Sequence, residues 1–236
     1  MTLIYINNLL FLLLVGWFAI LLFVFITLII YFVKYVRNSS EDKRIIYTEL
    51  NNEATPGSIV FLGDSLTDFY RTSEFFLNLD IYNRGIAGDK TTDVLDRLSD
   101  NVLQIKPRKI FLQIGTNDLG SKTKPDQTFN NIKQIIFNIQ RVLPDTEVLV
   151  ISLYPINPYA IPLSRIITRP RKNTDILYVN QKLMEFCAEL NLTYIDVCSS
   201  LKDEKGNLKK EYTIEGLHIS LPGYAKITEI LKPYVF

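Results

Sequence analysis

From Leu9 to Val33 the chain is apolar apart from Gly16 and Thr27, and its first 33 residues carry no charged side chain. A helix needs about 20 consecutive apolar residues to cross a bilayer. Only a helix satisfies its own backbone polar groups on the way, so this run predicts one spanning helix within an anchor at 1–37. Tyr5 before it and Tyr31 and Tyr35 at its far end suit the interfacial zones where amphipathic rings settle. A cleaved signal peptide is the competing reading. Against it stand the missing basic n-region, an apolar run too long for an h-region and the lack of a small-residue cleavage site. Lys34, Arg37, Lys43 and Arg44 follow the span, whereas residues 1–6 offer only the terminal amine. The positive-inside rule therefore places the rest of this single-pass protein in the cytoplasm.

Residues 38–57 are polar and end in a Thr-Pro-Gly breaker. They predict a linker in which Ile45, Ile46 and Leu50 form the apolar side of a short docking helix. Beyond it, short β-rich runs alternate with longer helical patterns. Strands are predicted at Ser58–Leu62, Ile81–Asn83, Lys109–Ile114, Glu147–Ser152 and Thr193–Val197. Helices are predicted at about 91–105, 128–142, 174–190 and 222–232. Strands written as continuous apolar runs and separated by helices indicate a parallel sheet covered on both faces. Residues 58–236 suffice for one such domain with a full core.

Composition narrows the chemistry. With 26 Lys+Arg against 25 Asp+Glu, the net charge is +1, too little basic excess for a nucleic-acid surface. Two cysteines, Cys187 and Cys198, make no disulfide framework and read as core residues. One histidine with no HxxxH or CxxC spacing argues against a structural zinc site, and nothing in the chain calls for another metal or a cofactor. That histidine, His218, lies in "TIEGLHIS", three residues after Glu215. Imidazole exchanges protons near neutral pH, and a carboxylate beside it can hold one tautomer and stabilise the protonated ring. A partner nucleophile is what would make the pair chemical.

In open parallel sheets ligands bind beyond the carboxyl ends of the strands, so the segments that follow them belong together. They read "GDSLTD" (63–68), "RGIAGDK" (84–90) and "GTNDLG" (115–120), with "EGLHIS" before the last helix. In this order and at these places they resemble the four blocks of the SGNH (GDSL) hydrolase family, including its platelet-activating-factor acetylhydrolase-like and lysophospholipase-like esterases. The four letters match Ser65, Gly88, Asn117 and His218. The resemblance covers 58–236 and implies a flavodoxin-like, three-layer α/β/α domain with a five-stranded parallel sheet.

What it implies for mechanism is specific. Ser65 is the expected nucleophile and His218 the base that activates it, later the acid for the leaving alcohol. The backbone N–H groups of Ser65 and Gly88 and the side-chain amide of Asn117 are the expected oxyanion donors. Gly88 and Asn117 also have plainer readings, as a turn glycine and a helix cap. Asp64 and Asp118, inside the same motifs, are expected to hold loops by hydrogen bonds. The family usually has Asp three residues before its histidine, and here stands Glu215. It offers the same acceptor oxygens one methylene further out, so it is the candidate third member; the alternative is an exposed Glu and a Ser–His dyad.

The implied function is a membrane-anchored esterase acting on small acyl or acetyl esters, on lipid-like or O-acetylated carbohydrate carriers. A non-catalytic, membrane-anchored binding module on the same fold is the alternative. The long 153–172 connection mixes Tyr154, Tyr159, Ile161, Ile166 and Ile167 with Arg165, Arg169, Arg171 and Lys172. It reads either as a lid or acyl-binding wall whose basic cluster rests on anionic headgroups, or as a surface loop that packs its own apolar residues and solvates its charges. Oligomeric state is not legible.

Overall fold

The computed structural model describes residues 2–236, with side chains from residue 8 onward except 9, 32, 33, 36 and 37. The side chains of Tyr5 and Arg37, used above, thus lie outside the described residues. The chain forms two units, 1–43 and 44–236.

The first unit consists of most of helix α1 (Thr2–Leu50). Within it Leu10–Tyr31, 22 residues, is long and apolar enough to cross a membrane. The predicted linker does not interrupt the helix. No Gly or Pro stands between Lys34 and Leu50, and the polar residues there are compatible with continued helix.

In the second unit, the elements after α1 are β1 (Ile59–Gly63), α2 (Ser65–Asp68), α3 (Thr72–Phe75), β2 (Ile81–Gly85) and α4 (Thr91–Asn101). They continue with β3 (Lys109–Gln113), α5 (Thr116–Gly120), α6 (Pro125–Val142), β4 (Glu147–Ile151) and α7 (Ser164–Thr168). The chain closes with α8 (Asn173–Glu189), β5 (Thr193–Ile195), α9 (Cys198–Leu201) and α10 (Leu221–Val235). The five strands pair in the order β2-β1-β3-β4-β5, all parallel. This is the doubly wound, flavodoxin-like arrangement, with its switch point beside β1.

Alternate residues of each strand point to opposite faces, and two cores result. Val60, Leu62, Ile110, Leu112, Val148 and Val150 meet the buried sides of α4, α6 and α8, including Val94, Ile135 and Val179. Ile59, Phe61, Phe111, Leu149 and Ile151 meet Leu66, Phe76 and the α10 residues Tyr224, Ile227 and Leu231. Both faces being covered explains why the strands read as unbroken apolar runs. β5 is shorter than its apolar run because Ser152 Oγ accepts the N–H groups of Val197 and Cys198, turning the chain into α9.

The predicted docking through Ile45, Ile46 and Leu50 is corrected: these side chains are 53%, 48% and 52% exposed. Residues 44, 47, 48 and 51 share the neighbouring helical face, and that face makes the contacts. Tyr47 donates its hydroxyl to Gly85 O at 3.0 Å, and its ring lies 4.7 Å from the Arg84 guanidinium. Asn101 Nδ2 donates to Arg44 O and Thr48 Oγ1. Arg84 donates to Asn51 Oδ1 at 2.9 Å. The docking is polar and cation–π, so hydrophobic spacing could not reveal it.

Candidate active site

Gly63 ends β1 so tightly packed that a Cβ there would lie 2.2 Å from Gln113 O and from Thr67 Oγ1. The chain then turns at Asp64, whose Oδ1 accepts the N–H of Leu66 at 2.9 Å. That cap starts α2 and sets Ser65 as its first residue. First-turn N–H groups have no acceptor within their own helix, and the N–H of Ser65 has none among the described residues. Tyr224 of α10 donates to Leu66 O at 3.0 Å and braces the turn from the other side.

His218 and Glu215 come from a loop that is held at several points before α10. A bridge joins Thr213 to Ile219. The N–H of Ile214 and the hydroxyl of Thr213 both donate to His218 O, and the Gly216 N–H donates to Thr213 Oγ1. Gly216 has φ +100°, and a Cβ on it would meet Asn157 O at 2.2 Å, so conformation and space both demand glycine here. In the loop so formed Glu215 Oε1 lies 2.5 Å from His218 Nδ1. His218 Nε2 lies 3.2 Å from Ser65 Oγ. A carboxylate only accepts hydrogen bonds, so Nδ1 carries the proton and the Nε2 lone pair faces the serine. Glu215, one methylene longer than Asp, thus meets the ring across the bend at Gly216. Phe69, 49% exposed, stands with its ring centroid 5.4 Å from that of His218, a neighbour that motif spacing did not single out.

Gly88 lies in the loop after β2, with φ +90° and open space where a Cβ would be. Its positive φ accounts for the glycine, because a residue with a Cβ is strained there. Its N–H has no acceptor among the described residues. The loop is tied down on both flanks. Ala87 N–H donates to Asp68 Oδ2 at 3.0 Å, and Asp89 pairs with Arg97 at 2.6 Å, both buried. Arg97 also donates to Gly63 O and Arg84 O, joining the ends of β1 and β2. Arg44 of α1 reaches the same carboxylate, 3.6 Å from Asp89 Oδ1.

Asn117 is in the first turn of α5 and does not cap it. Its Nδ2 donates to Asp89 O at 3.0 Å, which sets the amide beside Gly88. Its Oδ1 accepts from Arg171 at 2.9 Å. Asp118 accepts both the N–H and the hydroxyl of Thr91, and so holds α5 against the start of α4. The loop-holding role expected of Asp64 and Asp118 is what their contacts describe. Among the described residues no group of His, Cys, Asp and Glu is arranged to hold a metal ion.

The 153–172 connection differs from its expectation in three places, one being Ile167, which is half-buried against the core. Tyr154 is buried, in the core under β4, and Arg171 turns inward to Asn117 rather than outward with Arg165, Arg169 and Lys172. Tyr159, Ile161, Leu163 and Ile166 are exposed. The Asn157 N–H donates to Gly216 O at 2.7 Å, so the segment borders the Glu215–His218 loop.

Asp64 is fully buried, and burial pushes its carboxyl up to about 7 against the opposing pull of the Leu66 N–H and Arg171. An unfolded Asp titrates near 3.9. Between about pH 4 and 7 the folded protein therefore binds more protons than the unfolded chain, and stability declines as pH rises through that window. The loss at the upper end is up to about 4 kcal/mol. Asp64→Asn, which keeps the acceptor for Leu66, is expected to gain stability relative to wild type as pH goes from 4 to 8. Parallel urea-unfolding profiles for the two proteins across that range would show that Asp64 carries no such charge cost.

The site thus has a serine, an imidazole and a carboxylate in line, with two free backbone N–H groups and an oriented amide at the sheet edge. This can attack an ester carbonyl and hold the oxygen that becomes negative. The model of the GDSL-like Lipase/Acylhydrolase family matches residues 61–226. Human platelet-activating factor acetylhydrolase IB subunit alpha2 is 29% identical over 183 residues, covering 75% of this chain and 75% of its own. A solved protein from Streptococcus pneumonia, named for platelet activating factor, is 32% identical with a TM-score of 0.80, covering 87% of this chain and 96% of its own. A GDSL-like lipase from Bacteroides thetaiotaomicron has the same fold at a TM-score of 0.71 and 24% identity, over 81% and 96% of the two chains. With the family match spanning most of the domain built above, this chain belongs to the GDSL-like lipase/acylhydrolase family and is a hydrolase of ester bonds.

Proposed function

We propose that the protein is a membrane-anchored serine esterase in which Ser65, His218 and Glu215 act as one unit. The observation that carries this reading is the unbroken line from Ser65 Oγ through the His218 ring to Glu215 Oε1. Ser65 Oγ attacks the ester carbonyl carbon as its proton passes to His218 Nε2. The carbonyl oxygen gains the negative charge and is met by the N–H groups of Ser65 and Gly88 and by Asn117 Nδ2. The bond to the alkoxy oxygen then breaks, and that oxygen takes the proton back from Nε2. Water repeats the sequence on the acyl-serine and frees the acid. Glu215 keeps the ring in the tautomer that can accept the serine proton and stabilises the imidazolium. A fluorophosphonate probe is expected to label the wild-type protein and leave Ser65→Ala unlabelled. Equal labelling of both would place the nucleophile elsewhere.

The substrates we propose are short acyl or acetyl esters on lipid-like or carbohydrate alcohols. The human relative, named as a platelet-activating factor acetylhydrolase, supports a short acyl group. Phe69, whose ring stands beside that of His218, and the exposed Tyr159, Ile161, Leu163 and Ile166 of the segment bordering the histidine loop supply the apolar surface we assign to the acyl chain. In a p-nitrophenyl ester series, kcat/KM is expected to fall from acetate or butyrate toward decanoate; a rise along the series would replace the short-acyl reading.

Leu10–Tyr31 is the proposed anchor, retained in the mature protein, with the domain on the cytoplasmic side. The protein is expected in the membrane pellet after alkaline carbonate extraction, and its domain is expected to resist protease added to intact cells. A soluble form beginning near residue 38 would identify the segment as a signal sequence, and digestion from outside would reverse the orientation.

A further inference from the structure

Asn117 can serve an oxyanion only in one of its two amide orientations, and the structure assigns to Arg171, acting with Asp89 O, a share in that choice. The inference that Arg171 is a positioning residue for the oxyanion donor rests on the reading of Asn117 given above.

Arg171 lies 54 positions from Asn117 in sequence, in the stretch between α7 and α8. Its guanidinium is directed inward by three acceptors on two segments. Nε donates to Thr116 O at 2.8 Å. One terminal nitrogen donates to Ile167 O at 3.3 Å, and the other to Asn117 Oδ1 at 2.9 Å. The planar fork allows this set of contacts, and a lysine ammonium could not reproduce it. The group rests on Gly120, where a Cβ would fall 2.3 Å from the terminal nitrogen and 2.4 Å from the central carbon. Gly120 belongs to the same "GTNDLG" segment, so one end of that segment supplies the donor and the other supplies the seat of the arginine.

The electrostatic consequence is directional. A guanidinium is donor-only and always charged, so it tolerates the amide oxygen of Asn117 and rejects the amide nitrogen. On the far side Asp89 O is acceptor-only and takes one N–H of Nδ2 at 3.0 Å. An amide flip would set donor against donor at Arg171 and acceptor against acceptor at Asp89. Both partners therefore enforce one orientation, and the second N–H of Nδ2, which has no acceptor among the described residues, is left for the developing oxyanion. The bond from Arg171 is charge-assisted, and it polarises the amide so that this remaining N–H is a stronger donor.

The test is a double-mutant cycle on the full-length protein in detergent, with short-chain ester turnover and thermal unfolding measured on every variant. Asn117→Ala comes first: an unchanged kcat would overturn the role given to Asn117 itself, and the Arg171 inference with it. With Asn117 intact, Arg171→Ala is expected to lower kcat roughly 10- to 100-fold, with KM within about threefold, because a displaced donor costs mainly in the transition state. In the Asn117→Ala background the same change is expected to cost less than about threefold, since there is no amide left to orient. Equal losses in the two backgrounds, or no loss with Asn117 present, would overturn the inference while leaving Asn117 as donor. Gly120→Ala keeps the arginine but crowds its seat, and serves if Arg171→Ala unfolds. It is expected to lower kcat in the wild-type background and to be nearly silent in Asn117→Ala, and additivity there would again count against the proposal.

Discussion

Ser65→Ala and His218→Ala are each expected to lower kcat/KM by roughly 10⁴-fold or more, with the double mutant hardly worse than either single change. The expectation follows from the 3.2 Å contact between Ser65 Oγ and His218 Nε2. A serine hydroxyl without a base is a poor nucleophile, and a base without that hydroxyl has nothing to activate. Removing either member therefore removes the same step, and the losses do not add. The residual rate reflects the oxyanion donors and binding alone. Both variants are expected to unfold within a few degrees of wild type, because His218 is partly exposed and the Ser65 turn is held by Asp64 and Tyr224. Steady-state kinetics beside melting curves checks both statements. Losses that multiply in the double mutant would mean that the two residues contribute separately.

Glu215 gives the second large effect. Glu215→Gln is expected to reduce kcat roughly 10³- to 10⁴-fold while the loop keeps its shape. The amide can donate to His218 Nδ1, and the ring would then carry its proton on Nε2, the atom that must accept from Ser65. Glu215→Asp retains the charge but shortens the reach by one methylene, against a loop whose bend at Gly216 is set by φ +100° and by Asn157. Its activity is expected to fall between wild type and Gln. If Gln, Asp and Ala all remain within about threefold of wild type, a change under ~1 kcal/mol in transition-state stabilisation, Glu215 is a bystander. The site would then work as a Ser–His dyad.

Much of the fold was legible because its signals are local. Apolar runs and helical spacing mark β1 to β4 and the helices α4, α6, α8 and α10 to within a few residues. The long uncharged start marks Leu10–Tyr31 by composition alone. The short helices α2, α3, α5, α7 and α9 carry no such signal, because none has enough turns to show a helical period. The end of the linker region was misread for a related reason. Ile45, Ile46 and Leu50 have helical spacing, yet the face that docks carries Arg44, Tyr47, Thr48 and Asn51, which find polar partners on β2 and α4.

The sequence by itself determined which residues are candidates for the chemistry: Ser65, Gly88 and Asn117, each after a strand, and Glu215 and His218 before the last helix. Parallel strands with β1 at the switch point carry such segments to one edge, so their nearness follows from the order of elements. Tertiary structure alone decided the contacts between segments far apart in the chain. It set the contact of Glu215 with His218 across the bend at Gly216, the packing of Phe69 beside His218, and the inward turn of Arg171 onto Asn117 and Gly120. No periodicity distinguishes Arg171 from Arg165 or Arg169. What separates them is that three acceptors and a bare glycine lie within reach of one guanidinium, and those positions exist only once the sheet has brought α5 alongside the stretch that leads into α8.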